Sequence, residues 1–161
     1  MRLVAHLVRR SALGEGIEDG VTLDYEGRFL RRKLLITDGG ATLHVDLAET
    51  VSLLEGDAFE TVDGRLVAVR AAPEPLAEVA AGGAALARLA WHVGNRHTPA
   101  EIGEGWLRIR RDRVLEAMLA GLGATVRPVM VPFNPEGGAY GHGRTHGHHH
   151  GGAGDDPHGS A

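Results

Sequence analysis

Apolar and polar residues alternate over short stretches of the first seventy residues, which predicts β structure. In the stretch LLITDGGATLHVDL, one apolar run ends at Thr37 and another begins at Ala41, with residues 38–40 as a turn. The second run alternates as a strand with one buried face does: Leu43, Val45 and Leu47 against Thr42, His44 and Asp46. His44 is therefore expected to be an ordinary exposed residue. Repeated short strands with such turns predict a small β-sandwich or barrel-like domain.

The pattern changes after the stretch AAPEPLAEV at residues 71–79. Its two prolines favour extended backbone, so the stretch is interpreted as a linker or the entry to an edge strand. Beyond it, apolar residues recur at helical spacing and stop before Gly94: Leu86, Leu89, Ala90 and Val93.

A strand, a second helix and a final strand complete the pattern. WLRIR alternates as a strand, and Asp112 is placed to cap a helix whose apolar positions run from Val114 to Leu122. The order strand, helix, two strands, helix, strand predicts a ferredoxin-like α+β domain. The expected division is an all-β N-terminal domain at 1–72, the ferredoxin-like domain at 73–135 and a flexible Gly/His-rich tail at 136–161.

The last 21 residues, GHGRTHGHHHGGAGDDPHGSA, hold six of the ten histidines and almost nothing apolar. Glycine loses much entropy on ordering and no apolar burial offsets that loss, so the tail is not expected to fold alone. The histidines are interrupted by glycine, Arg144 and Thr145, which favours a native metal-binding tract over a purification tag.

Composition and charge exclude several classes of function. A formal charge of −4 gives no reason to expect nucleic acid or an anionic membrane, and no apolar run approaches the ~18 residues that span a bilayer. The N-terminus lacks a signal-peptide pattern, so a soluble cytoplasmic protein is expected. The absence of cysteine leaves only nitrogen and oxygen ligands for a metal. No catalytic or nucleotide-binding motif is found, so the protein is not expected to be an enzyme.

Two histidines stand around the end of the first predicted helix, in WHVGNRHTPAEI. His92 lies in the last turn, where a histidine interacts favourably with the helix dipole, and a structural role is favoured. His97 follows the Gly94-Asn95 pair, which is expected to break the helix, and precedes Thr98-Pro99. It is therefore expected in a rigid corner at the surface, with its side chain available to a ligand. Spacing alone leaves ligand and structural roles for His97 evenly balanced.

Four features in this order resemble the UreE family of urease accessory nickel carriers: WHVGNRH, DRVLEAMLAGLG, PFNPEGGAY and a histidine-rich C-terminus. The resemblance implies a homodimer with a peptide-binding-like N-terminal domain and a ferredoxin-like metal-binding domain. It also implies nickel binding, and delivery to the apo-urease assembly complex with the GTPase UreG. His97, which closes GNRH, is the implied interfacial ligand. Further ligands are implied in the tail: His142, His146, His148, His149 and His150.

One stretch departs from the family pattern, and two other functions stay open. Some members carry extra histidines before the second helix, where this chain has the sequence RRDR at residues 110–113. Arginine stays protonated in proteins and has no lone pair with which to bind a metal. Those peripheral sites are therefore expected to be absent. A metal-independent peptide-binding co-chaperone and a passive metal store are the alternatives. Zinc or copper would also suit imidazole ligands.

Overall fold

The computed structural model describes residues 1–12, 14 and 16–137. This part of the chain begins with a six-stranded sheet, in the order β2-β6-β5-β1-β4-β3. Its strands are β1 (Arg2–Arg9), β2 (Ile17–Leu23), β3 (Phe29–Ile36), β4 (Thr42–Ser52), β5 (Ala58–Thr61) and β6 (Leu66–Ala71).

The hairpin of β3 and β4 forms where the sequence predicted it. Leu35 pairs with Leu43 and Ile36 with Thr42, in antiparallel register. The strict alternation in β4 also holds, since its three alternate apolar residues are buried and His44 is exposed. The six strands enclose one core that includes Val21, Val45 and Phe59. The expected all-β N-terminal domain is confirmed.

The second half is a four-stranded sheet with two helices, in the strand order β10-β7-β9-β8. Its elements are β7 (Pro73–Ala80), α1 (Gly83–Asn95), β8 (Glu101–Gly103), β9 (Trp106–Arg110), α2 (Arg113–Gly121) and β10 (Thr125–Pro132). Leu89 of α1 and Leu119 of α2 are buried against Val79 and Leu107 of the sheet. The predicted βαββαβ order and the ferredoxin-like α+β fold are confirmed.

The interpretation of residues 71–79 as a linker or the entry to an edge strand is wrong. β7 is internal, because it pairs with β10 on one side and β9 on the other. The prolines are tolerated because β9 pairs only from Leu76 onward, whereas Pro73 and Pro75 have β10 alone beside them. Proline lacks an N–H donor and is accepted where one side of a strand is unpaired.

Two details of the helices also differ from the sequence prediction. α1 continues one residue past Gly94 and has its C-cap at Arg96. Val114, expected among the apolar residues of the second helix, is 83% exposed in its first turn. The predicted cap of α2 is confirmed, since the Asp112 carboxylate accepts a hydrogen bond from the Leu115 N–H at 2.9 Å.

Candidate functional site

The C-terminal end of α1 forms a tight corner that fixes the backbone of His97. The His97 N–H donates to the Gly94 carbonyl at 3.0 Å, and the Thr98 N–H donates to the Val93 carbonyl at 3.3 Å. These two bonds make a Schellman motif, which satisfies the last carbonyls of the helix and requires a left-handed residue after the C-cap. That residue is His97, with a φ of 54°.

The second helix ends in the same motif with the usual residue. There the Gly123 N–H donates to Ala120 and the Ala124 N–H donates to Leu119, and Gly123 has a φ of 96°. Glycine takes this conformation without a Cβ clash, whereas other L-residues are held there at a cost of about 1–2 kcal/mol. At the end of α1 the chain therefore has an imidazole in a position that favours glycine.

His97 and His92 differ in their surroundings, as their places in the sequence predicted. The His97 side chain is exposed, beyond the helix. His92 is half-buried in the last turn of α1, and its ring lies edge-on to Trp91 with centroids 5.1 Å apart. Among residues 1–12, 14 and 16–137, no three His, Asp or Glu side chains form a group that could hold a metal ion. A metal ion bound at His97 would therefore need further donors from outside these residues.

Two exposed apolar residues lie on the elements before and after the corner. Trp91 is 64% exposed, and Ile102 of the short strand β8 is also exposed. A shallow groove beside the corner is lined by Ile102 together with Gly94 and Thr98.

The chain returns to this corner after its last strand. The Glu136 N–H donates to the Ala100 carbonyl at 2.8 Å, three residues beyond His97. Gly137, the last residue described, lines the same groove as Thr98. The sequence carries no signal for this approach, because residues 98–100 and 136–137 are brought together only by the packing of the sheet.

Residue Asn134 ties this returning segment to both domains. Its backbone N–H donates to the Glu101 carboxylate at 3.0 Å, and its side-chain amide donates to Glu55 of the N-terminal domain at 3.0 Å. Next to it, Phe133 is fully buried, packs edge-on against Tyr25 and accepts a hydrogen bond from the Arg28 guanidinium. The point where residues 138–161 begin is thus held in place.

A buried carboxylate organises the face of the second sheet opposite the helices. Glu78 accepts hydrogen bonds from Arg127 and Arg108, each with an N–O distance of 2.9 Å. Hydrogen bonding from Arg127 is the largest cause that lowers the pKa of the Glu78 carboxyl, and Arg108 adds to it. This group lies on the side of the sheet away from α1 and His97, and its hydrogen bonds join β7 to β9 and β10.

Two family models match consecutive parts of the chain. The N-terminal domain of the UreE urease accessory protein matches residues 4–72, and its C-terminal domain matches residues 74–159. The chain belongs to the UreE family.

Relatives with the same name support this membership. The urease accessory protein UreE of Ruegeria pomeroyi is 57% identical over 89% of this chain and 95% of its own length. The UreE of Cereibacter sphaeroides is 62% identical over 81% of this chain and 70% of its own length. The UreE of Rhodobacter capsulatus is 56% identical over 84% of this chain and 85% of its own length. UreE membership supports a role in urease maturation.

The structure describes one of the six ligands expected from the resemblance to UreE. His97 is exposed at the corner, three residues before Ala100, whose carbonyl accepts the hydrogen bond from Glu136. The other five, His142, His146, His148, His149 and His150, lie outside the described residues, as does the expected disorder of the tail. In the described ranges, no helix is long and apolar enough to cross a membrane.

Proposed function

We propose that this UreE protein is a nickel carrier that delivers nickel for assembly of the urease active site. It acts as a homodimer with the GTPase UreG and the apo-urease assembly complex, and it catalyses no reaction itself. The observation that carries the proposal is the position of His97: its backbone is left-handed and its side chain is exposed at the end of α1, three residues before Ala100, whose carbonyl bonds the segment that leads to the histidine-rich tail.

A homodimer gives His97 its first additional donor. In a two-fold interface a residue near the axis meets its own copy, so two imidazoles come from one sequence position. The exposed Trp91 and Ile102 supply apolar area for such an interface around the corner. A pair of imidazoles on rigid backbone is a platform on which further ligands can complete a nickel site.

The tail supplies those further ligands. His142 is five residues beyond Gly137, and at about 3.3–3.6 Å per residue it lies within a span of roughly 17 Å from the groove. A donor tethered so near acts at an effective concentration of about a millimolar. Tethered donors can also leave the metal, which suits delivery better than permanent storage.

Nickel is the cargo in this proposal, and the ligand set alone does not select it. Imidazole nitrogen also suits zinc and copper, and copper exceeds nickel in intrinsic affinity for such ligands. Selectivity is therefore expected from metal supply and from recognition by the urease partners. The resemblance of the sequence motifs to nickel carriers is what favours nickel over the other two metals.

The substitution His97→Ala tests the proposal. We expect the tightest nickel site and urease activation in cells to be lost while the far-ultraviolet circular dichroism is unchanged, because the imidazole is exposed and is not part of the hydrophobic core. His92→Ala is the matched control: its half-buried ring should affect thermal stability and leave tight binding in place. Full tight binding and full activation by His97→Ala would refute the shared-site proposal.

A second experiment separates a carrier from a passive store or a metal-independent co-chaperone. Purified chain would be used to capture UreG and the urease assembly complex, with and without nickel. A carrier is expected to capture them in a nickel-dependent way that His97→Ala abolishes. A store would bind nickel and capture neither, and a co-chaperone would capture them equally with and without nickel.

A further inference from the structure

Residues 134–137, which lead from β10 to the tail, lie against both domains. All four line one cavity with Ser52 and Leu53 of the N-terminal domain. Glu136 and Gly137 also line the groove beside Thr98 in the second domain. We call residues 134–137 the tail anchor, because they are the last described part of the chain before the histidine-rich tail. The place where the tail begins therefore depends on both domains.

Two adjacent residues of the second domain hold the tail anchor by alternate amides. The Ala100 carbonyl accepts a hydrogen bond from the Glu136 N–H at 2.8 Å, and the Glu101 carboxylate accepts one from the Asn134 N–H at 3.0 Å. Glu101 also pairs with Arg108 at an N–O distance of 3.7 Å, and its side chain is 18% exposed. These bonds join the tail anchor to the segment that follows the corner.

One residue of the N-terminal domain holds the tail anchor from the other side. The Glu55 carboxylate accepts a hydrogen bond from the Asn134 side-chain amide at 3.0 Å. Glu55 lies in the turn between β4 and β5, which Asp57 fixes by accepting from the Leu54 N–H at 2.8 Å and pairing with Arg10 at 2.6 Å. Within the described ranges Glu55 forms no ion pair, so a substitution there breaks none.

The tail anchor shortens the tether of the tail histidines. A chain held at Gly137 has five residues to His142, whereas a chain released back to the buried Phe133 has nine. The effective concentration of a tethered group falls roughly as the −3/2 power of the tether length, so release lowers it about two- to threefold. A held anchor also keeps the start of the tail beside residues 98–100.

We propose that Glu55 and Asn134 are positioning residues for the nickel site. Their hydrogen bond fixes the start of the tail, so the N-terminal domain raises the nickel affinity although it contributes no ligand. A displacement of that domain that breaks the bond would weaken the hold on nickel, which couples the position of the domain to metal release. This inference rests on the proposed function, because it requires that tail histidines complete the site at His97.

An exchange of charge at the two positions tests the inference by calorimetric nickel titration. Asn134→Asp places a second carboxylate beside Glu55, and two carboxylates at such a distance repel. We expect the full chain to bind nickel about two- to threefold more weakly. Adding Glu55→Lys should restore the affinity, because an ion pair replaces the hydrogen bond. Glu49→Lys, the same charge change at another exposed glutamate of the N-terminal domain, is the matched control and should restore nothing.

A chain without the tail separates positioning from a general effect on the fold. Both domain cores lie within residues 3–133, so deletion of residues 141–161 removes the tail histidines and keeps the tail anchor. In the deleted chain Asn134→Asp should leave the nickel affinity unchanged. Equal weakening with and without the tail, or restoration by Glu49→Lys as complete as by Glu55→Lys, would overturn the inference.

A measurement without metal distinguishes failure of this inference from failure of the proposed function. Hydrogen exchange at the Glu136 amide, followed by NMR, should become faster in Asn134→Asp and slow again when Glu55→Lys is added. Unchanged exchange, or faster exchange with unchanged nickel affinity, would overturn the positioning role and leave the carrier proposal standing. If deletion of the tail did not weaken nickel binding by the otherwise unsubstituted chain, the proposed tail ligands would be wrong, and this inference would fall with them.

Discussion

At the scale of single residues, the corner after α1 shows a conflict between backbone preference and side-chain chemistry. His97 and Gly123 occupy the same place in two Schellman motifs of one chain, with φ angles of 54° and 96°. Only the first has a side chain that could bind a metal. A strained residue in an otherwise regular motif is a reason to suspect function, and here the strain lies at the residue that the sequence resemblance indicated.

Replacing His97 by glycine should therefore raise stability while removing the proposed nickel ligand. We expect His97→Gly to increase the free energy of unfolding by about 1 kcal/mol, because the left-handed backbone no longer carries a Cβ. Urea unfolding of the metal-free chain measures this. Gly123→Ala is the inverse control: open space surrounds its Cβ position, so strain alone should lower the free energy of unfolding by about 1 kcal/mol. A less stable His97→Gly chain would contradict the argument.

At the scale of elements, the sequence predicts what local periodicity determines. The alternation in β4 and the helical spacing in α1 identified buried faces correctly, because one strand or helix face is read from one segment. The prediction for β7 was wrong because it considered the prolines from the local sequence alone. Whether Pro75 is tolerated depends on where the pairing with β9, which is distant in sequence, begins. The contact between Asn134 and Glu55 joins positions 79 residues apart, and no pattern indicates it.

The Glu78 network predicts an acid-sensitive second sheet. Because Arg127 and Arg108 lower the Glu78 pKa in the folded chain, its contribution to stability is present above the ordinary glutamate value of about 4.3 and is lost as pH falls toward the lowered pKa. We expect Glu78→Gln to lower the free energy of unfolding at pH 7 and to reduce its fall below pH 5. Urea unfolding between pH 3.5 and 7 checks this.

The exposed Glu49 provides the comparison for that experiment, since it belongs to no ion pair among the described residues. Glu49→Gln should follow the unsubstituted chain at every pH. If Glu78→Gln kept the full acid dependence of the unsubstituted chain, the arginine pair would not be its source.

At the scale of the whole molecule, both domain cores form within residues 3–133, so the tail should be dispensable for folding. We expect deletion of residues 141–161 to lower the number of nickel ions bound and to leave a folded dimer. Calorimetry gives the stoichiometry and light scattering gives the mass. Loss of the dimer, or of cooperative unfolding, would show that the tail supports the fold.

Nickel binding by the full chain should depend steeply on pH. Each coordinating imidazole must be neutral, so protons compete with the metal as pH falls through the unperturbed histidine pKa of about 6.5. A site of carboxylates would keep its metal down to about pH 4–5. Binding isotherms between pH 7 and 5.5 distinguish the two, and equal affinities across that range would exclude the proposed histidine ligands.

The linker between the two domains is a single residue. β6 ends at Ala71 and β7 begins at Pro73, and the N–H of the single intervening residue, Ala72, donates to the Leu23 carbonyl at 2.8 Å. With Asn134 and Arg28 bridging the same boundary, the N-terminal domain cannot swing freely. In the proposed homodimer, the two N-terminal domains would then be held at a set distance from each other. A partner that contacts both of them would gain avidity only if its two contact segments match that distance.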